Sequence, residues 1–355
     1  MLLLPGALSL LGLLGLAQAP PEPPVGEPFD DEITVSILSM TVRVVNGLGE
    51  PLPDLGPEDF RVRVGGKAVP VLAVDWVGAG DAEPAVLTGP AGPPANLGEE
   101  SATPEAAAPR EAAGKLVVFF VQADLEPTRI SGQLRLRPYT EDLLTTLDPA
   151  DRMAVVSFDS HLHLRQDFTA DREAVFEAVD RGMLWGDSEM GAGSGEVSLA
   201  PSFDPGKAKD AASTERGLEV TAEALQALPG EKVMVFLGWG MGTFSSLGVH
   251  MKPAFAPAVR ALRRARVAVF TLDVTSADSH SLEVGLEAVA SATGGSYAKT
   301  NLFPGLATKF LARAISGHYI VTIDPAAAPE KGGAVEVSLR RGLKGTVLTR
   351  PVSLR

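Results

Sequence analysis

Asp124-Leu-Glu126-Pro-Thr128 sets oxygen-bearing side chains at every second position of a short segment. A hard divalent cation such as Mg2+ takes oxygen ligands in near-octahedral geometry and keeps several waters. A turn with this spacing can offer three oxygens to one point, so cation binding at Asp124, Glu126 and Thr128 is the first chemistry to look for. Other arrangements offer less. His161 and His163 alternate on one strand face, a spacing that could hold a metal, but the neighbouring sequence gives no third ligand and they read as exposed edge-strand histidines. His250, His280 and His318 are scattered, and no Gly-x-Ser-x-Gly or His-Glu-x-x-His motif accompanies them. Gly238-Trp-Gly-Met-Gly242 lacks the Lys and Ser/Thr of a phosphate loop. Its glycines suit close approach of backbone to backbone, and Trp239 among them suits a contact anchor for a partner.

These residues need a scaffold, and the chain supplies one. Leu116–Gln122 is an apolar run closed by a single Gln, rich in β-branched and aromatic types, that ends just before Asp124. Such a run predicts a strand buried on both faces of a parallel sheet. Further strands are expected at 153–158, 233–237, 267–272 and 296–299. Helices are expected at 131–147, 171–181, 214–228, 253–265, 281–293 and 303–314. This alternation implies an α/β, doubly wound, mainly parallel Rossmann-like sheet covered on both faces. In such a sheet ligands bind outside the carboxyl ends of the strands, which is where Asp124 falls. The stretch from His161 to Asp167 alternates and is expected to pair as a short hairpin edge strand.

Composition bounds the function. The net charge of −13 argues against nucleic acid, whose phosphates demand a basic surface. The absence of cysteine excludes disulfides, thiol catalysis, Cys-ligated zinc and a lipid-modified cysteine. Residues 1–19 are apolar, carry no charge and close on Ala17-Gln18-Ala19, the pattern of a secretory signal peptide. No other segment approaches membrane-spanning length, so no membrane span is expected after signal cleavage. Enrichment in Gly, Pro, Ala and Leu is compatible with a high-GC bacterial genome, which makes secretion or periplasmic export the expected localisation.

The remaining organisation follows from pattern changes. Residues 20–29 form a Pro/Glu-rich tether. Residues 30–78 read as an N-terminal β module, with Asp59 to Val64 alternating cleanly before Gly65-Gly66. Residues 79–114 are Pro/Ala/Gly-rich without hydrophobic periodicity, too poor in apolar surface to offset chain entropy, and read as a flexible linker. The α/β domain occupies 115–316, with C-terminal β strands at 317–355.

With these landmarks in order, the chain resembles the von Willebrand factor A domain, specifically the bacterial secreted "VWFA-related" family. Leu52 to Phe60 followed by Gly65-Gly66-Lys67, Pro149 to Phe158, Gln166 to Arg172, Pro229 to Phe236, Ala292-Thr-Gly-Gly295 and Tyr319 are similar to successive family motifs. The resemblance implies a metal-ion-dependent adhesion site. There an Asp-x-Ser-x-Ser signature, a Thr from a second loop and usually an Asp after the fourth strand hold Mg2+ for a partner's carboxylate. Here Asp124 stands for the signature's Asp, Glu126 and Thr128 for its two Ser, and Thr214 for the second-loop Thr. Ala212-Ser213 replaces the usual Gly-Gly, and Gly238-Trp239 stands where the last Asp is expected. The implied site is therefore degenerate, with Mg2+ as its only candidate cofactor.

The expected function is non-enzymatic: an exported protein that binds an unidentified protein partner, for adhesion or assembly, at the crevice lined by Asp124, Glu126, Thr128 and Thr214, with Trp239 as a contact. Two alternatives stay open, a hydrolase or phosphotransferase using Asp124 and Glu126, and a purely structural envelope protein.

Overall fold

The computed structural model describes residues 37–78, 114–183, 189–193, 195 and 197–354. The expected signal peptide, the tether and nearly all of the linker lie outside the described residues. Four strands come first, β1 (Leu38–Val45), β2 (Phe60–Val64), β3 (Lys67–Val69) and β4 (Val71–Val77). The α/β segment then runs β5 (Leu116–Gln122), α1 (Pro127–Thr146), β6 (Arg152–Phe158), β7 (Leu162–Thr169), α2 (Arg172–Met183), α3 (Pro205–Lys209), α4 (Thr214–Leu225) and β8 (Lys232–Gly238). It continues through the hairpin β9 (Thr243–Ser245) and β10 (Gly248–His250), then α5 (Phe255–Arg264), β11 (Val267–Asp273), α6 (Glu283–Thr293), β12 (Tyr297–Lys299) and α7 (Pro304–Ala314). Last come β13 (His318–Ile323), β14 (Gly333–Leu339), β15 (Thr346–Thr349) and β16 (Val352–Leu354).

The central sheet has six strands in the order β12-β11-β8-β5-β6-β7. Every neighbouring pair is parallel except β6 and β7, so the expected edge hairpin is present. Alternation along β5 divides its side chains between two cores. Leu116, Val118 and Phe120 pack with α4, α5 and α6, while Val117, Phe119 and Val121 pack with α1, α2 and α7. All six are buried, and each large apolar side chain so removed from water stabilises the fold by about 1.5–3 kcal/mol.

The strands flanking the α/β segment pair with one another. One four-stranded sheet is ordered β15-β1-β13-β4, the other β16-β14-β2-β3. Their inner faces share a core of Met40, Val42, Val44, Phe60, Val62, Tyr319 and Val321, giving a β-sandwich. Tyr319 sits at its centre, its ring 4.9 Å from Trp76 and 5.4 Å from Phe60. Its hydroxyl donates to Leu52 O at 2.5 Å and accepts from Leu55 N at 3.1 Å.

A charged cluster fastens this sandwich to the base of the central sheet, where the parallel strands begin. Glu231, just ahead of β8, accepts from Arg43 on β1 and lies 3.0 Å from His318 Nδ1 on β13. Arg43 and His318 are 3% and 2% exposed, so both groups depend on this carboxylate. Burial opposes the charge on Glu231, but Arg43, then His318 and Lys115, outweigh it and hold its pKa at about 2.

Candidate functional site

The opposite end of the sheet, the rim where the parallel strands finish, collects most of the residues singled out above. Counted along the chain, the order reads 6-5-4-1-2-3, and its direction reverses between β5 and β8. A doubly wound sheet opens a crevice at that switch point. Asp124 leaves β5 on one side of it and Trp239 leaves β8 on the other.

Gln122, the last residue of β5, ties the two sides together. It is 1% exposed and uses both ends of its amide. Nε2 donates to Thr214 Oγ1 at 3.0 Å and to Gly240 O at 2.9 Å, while Oε1 accepts from Trp239 N at 2.9 Å and Gly240 N at 3.3 Å. Gln133 on α1 donates to the Gln122 carbonyl at 2.7 Å. A buried amide must satisfy both its donors and its acceptor, and here that requirement fixes the geometry of three loops.

The Asp124 turn is satisfied from within. Asp124 Oδ1 accepts from Glu126 N at 2.8 Å, and Oδ2 is ion-paired with Arg129 in the first turn of α1. Glu126 is the N-cap of that helix. Its Oε2 accepts from Thr128 N at 3.1 Å, Arg129 N at 3.2 Å and the Thr128 hydroxyl. That hydroxyl, with the two backbone N–H groups, holds the Glu126 carboxyl below its ordinary range. The Arg129 guanidinium also lies over the Trp239 ring, 3.5 Å from its centroid.

The loop after β8 is tied to α4, although Trp239 Nε1 and Glu215 Oε2 are buried without a hydrogen bond and Glu215 Oε2 lies 3.8 Å from Lys252 Nζ. Glu215, fully buried on α4, accepts from Gly242 N at 3.1 Å. Gly240 has φ 146, and a Cβ there would lie 2.5 Å from Leu282 Cβ, so the backbone approach expected of these glycines is present. Ser213 caps α4 by accepting from Arg216 N at 3.3 Å, which leaves Thr214 in the first helical turn facing Gln122.

An octahedral cation needs free oxygens, and the four residues expected to supply them do not fit one. Asp124 faces a guanidinium, Glu126 is folded onto a helix N-terminus, Thr128 donates to Glu126, and Thr214 is bonded to Gln122. The position after β8 offers an indole, not a carboxylate.

Strand order, the single reversed edge strand and a strand-end aspartate at the switch point describe one architecture. The α/β unit has a von Willebrand A-like fold. Among solved structures, a von Willebrand factor type A protein from Catenulispora acidiphila is 10% identical, with 90% of this chain and 73% of that chain covered at a TM-score of 0.40. An aerotolerance-related membrane protein from Bacteroides fragilis is 14% identical, with 57% and 98% covered at 0.39. BatB from Bacteroides thetaiotaomicron is 12% identical, with 57% and 97% covered at 0.38. No protein-family profile and no curated protein matches the chain.

Two further polar clusters lie on the rim of the von Willebrand A-like domain. After β6, Asp159 supplies the third group that the sequence around His161 and His163 did not suggest. His163 Nε2 is 3.2 Å and His161 Nδ1 3.6 Å from its carboxylate, and Arg165 Nη2 is 4.0 Å away. Although burial raises it, the Ser160 and His161 N–H groups and then the His163 ring hold Asp159 at about 2. After β11, Asp273 accepts from His280 Nε2 at 2.8 Å and Tyr297 Oη at 2.9 Å, with Lys299 on Glu283 at 2.9 Å. Burial, then Asp273, pushes the Tyr297 phenol up. Gln122, Arg129 and Glu215 are thus the rim residues that sequence reasoning did not select. The available signals were a polar residue closing an apolar strand and a cation five positions after Asp124.

Among the described residues, no helix is long and apolar enough to cross a membrane.

Proposed function

We propose that this chain is an exported, non-enzymatic binding protein that engages a protein partner, for adhesion or assembly, through the rim of its von Willebrand A-like domain, with a degenerate cation site. One observation carries the reading: of the eleven exposed large apolar side chains among the described residues, six follow the carboxyl ends of central strands. Leu125 follows β5, Phe244 and Leu247 lie on the β9–β10 hairpin after β8, Val284 opens α6 after β11, and Leu302 and Phe303 follow β12. They are exposed by 49–87%. Exposed apolar side chains grouped at one place mark contact surfaces, and the Arg129–Trp239 pair supplies the residue types enriched in interface hot spots. The apolar opening with Ala17-Gln18-Ala19 supports export, to the periplasm or beyond. The net charge of −13 speaks against nucleic acid as the partner.

The enzyme alternative would need Asp124 or Glu126 free to act on a substrate, and both are engaged, by Arg129 and by the start of α1. Capture from native envelope extract tests the reading. The full chain, Trp239→Ala and Phe244→Ser/Leu247→Ser would be compared, each with and without chelator. A partner held by the wild type and lost from both variants is the expected result. Equal recovery on all three proteins would remove the rim from the account.

A further inference from the structure

The departures of this rim from a cation site are coupled to one another. Trp239 stands where the resemblance calls for a carboxylate after β8. An indole cannot ligate Mg2+, but the face of its ring attracts a cation. The cation it meets belongs to the chain: Arg129, stacked 3.5 Å from the ring centroid and ion-paired with Asp124. Among the described residues, Asp124 is the one side-chain acceptor of that guanidinium. Glu126, the second carboxylate of the turn, is neutralised by the N-terminus of α1, an end that favours negative charge.

We propose that Arg129 is the resident cation of this rim, taking the place of the divalent ion and making the site independent of metal. The position after β8 offers Mg2+ no carboxylate, and its indole gives a planar guanidinium a surface to stack on. Arginine suits the role better than lysine, because its flat delocalised charge both stacks and donates in plane. A permanent guanidinium cannot be stripped by chelators or displaced by millimolar Mg2+. The Asp124 turn therefore stays in one state whether or not a divalent cation is present, and contacts made there are constitutive. This deepens the reading of the rim as a contact surface and takes its biological use from it. The chemical claim concerns the isolated chain, so it can fail without a partner being known.

Isothermal titration of the full chain with MgCl2 and MnCl2 tests it. The wild type is expected to give no saturable heat that Asp124→Asn removes, any binding at the Asp159 or Asp273 clusters being unaffected by that change. Arg129→Gln/Trp239→Asp, which removes the guanidinium and restores a carboxylate after β8, is expected to gain saturable Mn2+ binding. Adding Asp124→Asn to that pair should abolish the gain. Far-UV circular dichroism confirms that each variant is folded, and Arg129→Met/Trp239→Asp serves as a second route if the first unfolds. Saturable wild-type binding that disappears in Asp124→Asn would overturn the proposal. So would a folded Arg129→Gln/Trp239→Asp variant that stays blind to Mn2+, because Arg129 would then not be what keeps the metal out.

Discussion

The two ends of the central sheet handle charge in opposite ways. At the base, Arg43, Glu231 and His318 are withdrawn from water and join the β-sandwich to the start of β8. At the rim, Asp124 and Arg129 keep 20% and 26% of their side chains exposed, and Leu125, next to Asp124 in the chain, is exposed as well. Buried charges depend on one another, since removing one partner leaves the rest uncompensated. Exposed pairs contribute little to stability and remain available for contact. The difference separates an end that holds the molecule together from an end left free to meet something.

The base should break most severely. Glu231→Gln leaves Arg43 and His318 without their carboxylate and should cost on the order of 3–5 kcal/mol in urea unfolding. A loss below about 1 kcal/mol would mean that the cluster is not a fastening. Acid gives the same information without a mutation. Glu231 has its pKa lowered from 4.5 to about 2 on folding, so its stabilisation is present above pH 4.5 and is lost as pH falls through 2. The share of Glu231 in the fall of stability across that window should be about 3 kcal/mol, and the fall in Glu231→Gln should be smaller by that amount.

At the rim, Gln122→Ala should have the next largest effect, about 2 kcal/mol, because it leaves buried donors and acceptors at Thr214, Trp239 and Gly240 unmatched. Hydrogen exchange should show the loosening confined to the turns after β5 and β8. Protection lost throughout the sheet would mean that Gln122 supports the fold and not the rim alone. The smallest effect belongs to the exposed pair. Arg129→Ala should cost about 0.5–1 kcal/mol, and a double-mutant cycle with Trp239→Ala should return a coupling of similar size from the stacked contact.

The sequence made the central sheet legible because buried parallel strands leave apolar runs, and Leu116–Gln122 is bounded in the structure as its run suggests. The edge hairpin at His161 was legible from alternation. Helix α1 starts at Pro127, earlier than the apolar periodicity from residue 131 indicates, because Glu126 caps it and Pro127 opens it. Pairing between distant segments was out of reach: nothing local tells β1 that its neighbours are β13 and β15, or β2 that it lies beside β14. The candidate site was legible in its position and not in its chemistry. Spacing located Asp124 at the rim, but whether its carboxylate faces a metal or a guanidinium depends on how the first turn of α1 carries Arg129 back over Trp239.

A crystal structure grown in MnCl2, with anomalous scattering used to locate manganese, tests the central claim most directly. The account predicts no manganese at Asp124 and the Arg129 guanidinium seated between that carboxylate and the Trp239 ring. A manganese peak ligated by Asp124 and Thr214, with Arg129 swung away into solvent, would contradict it.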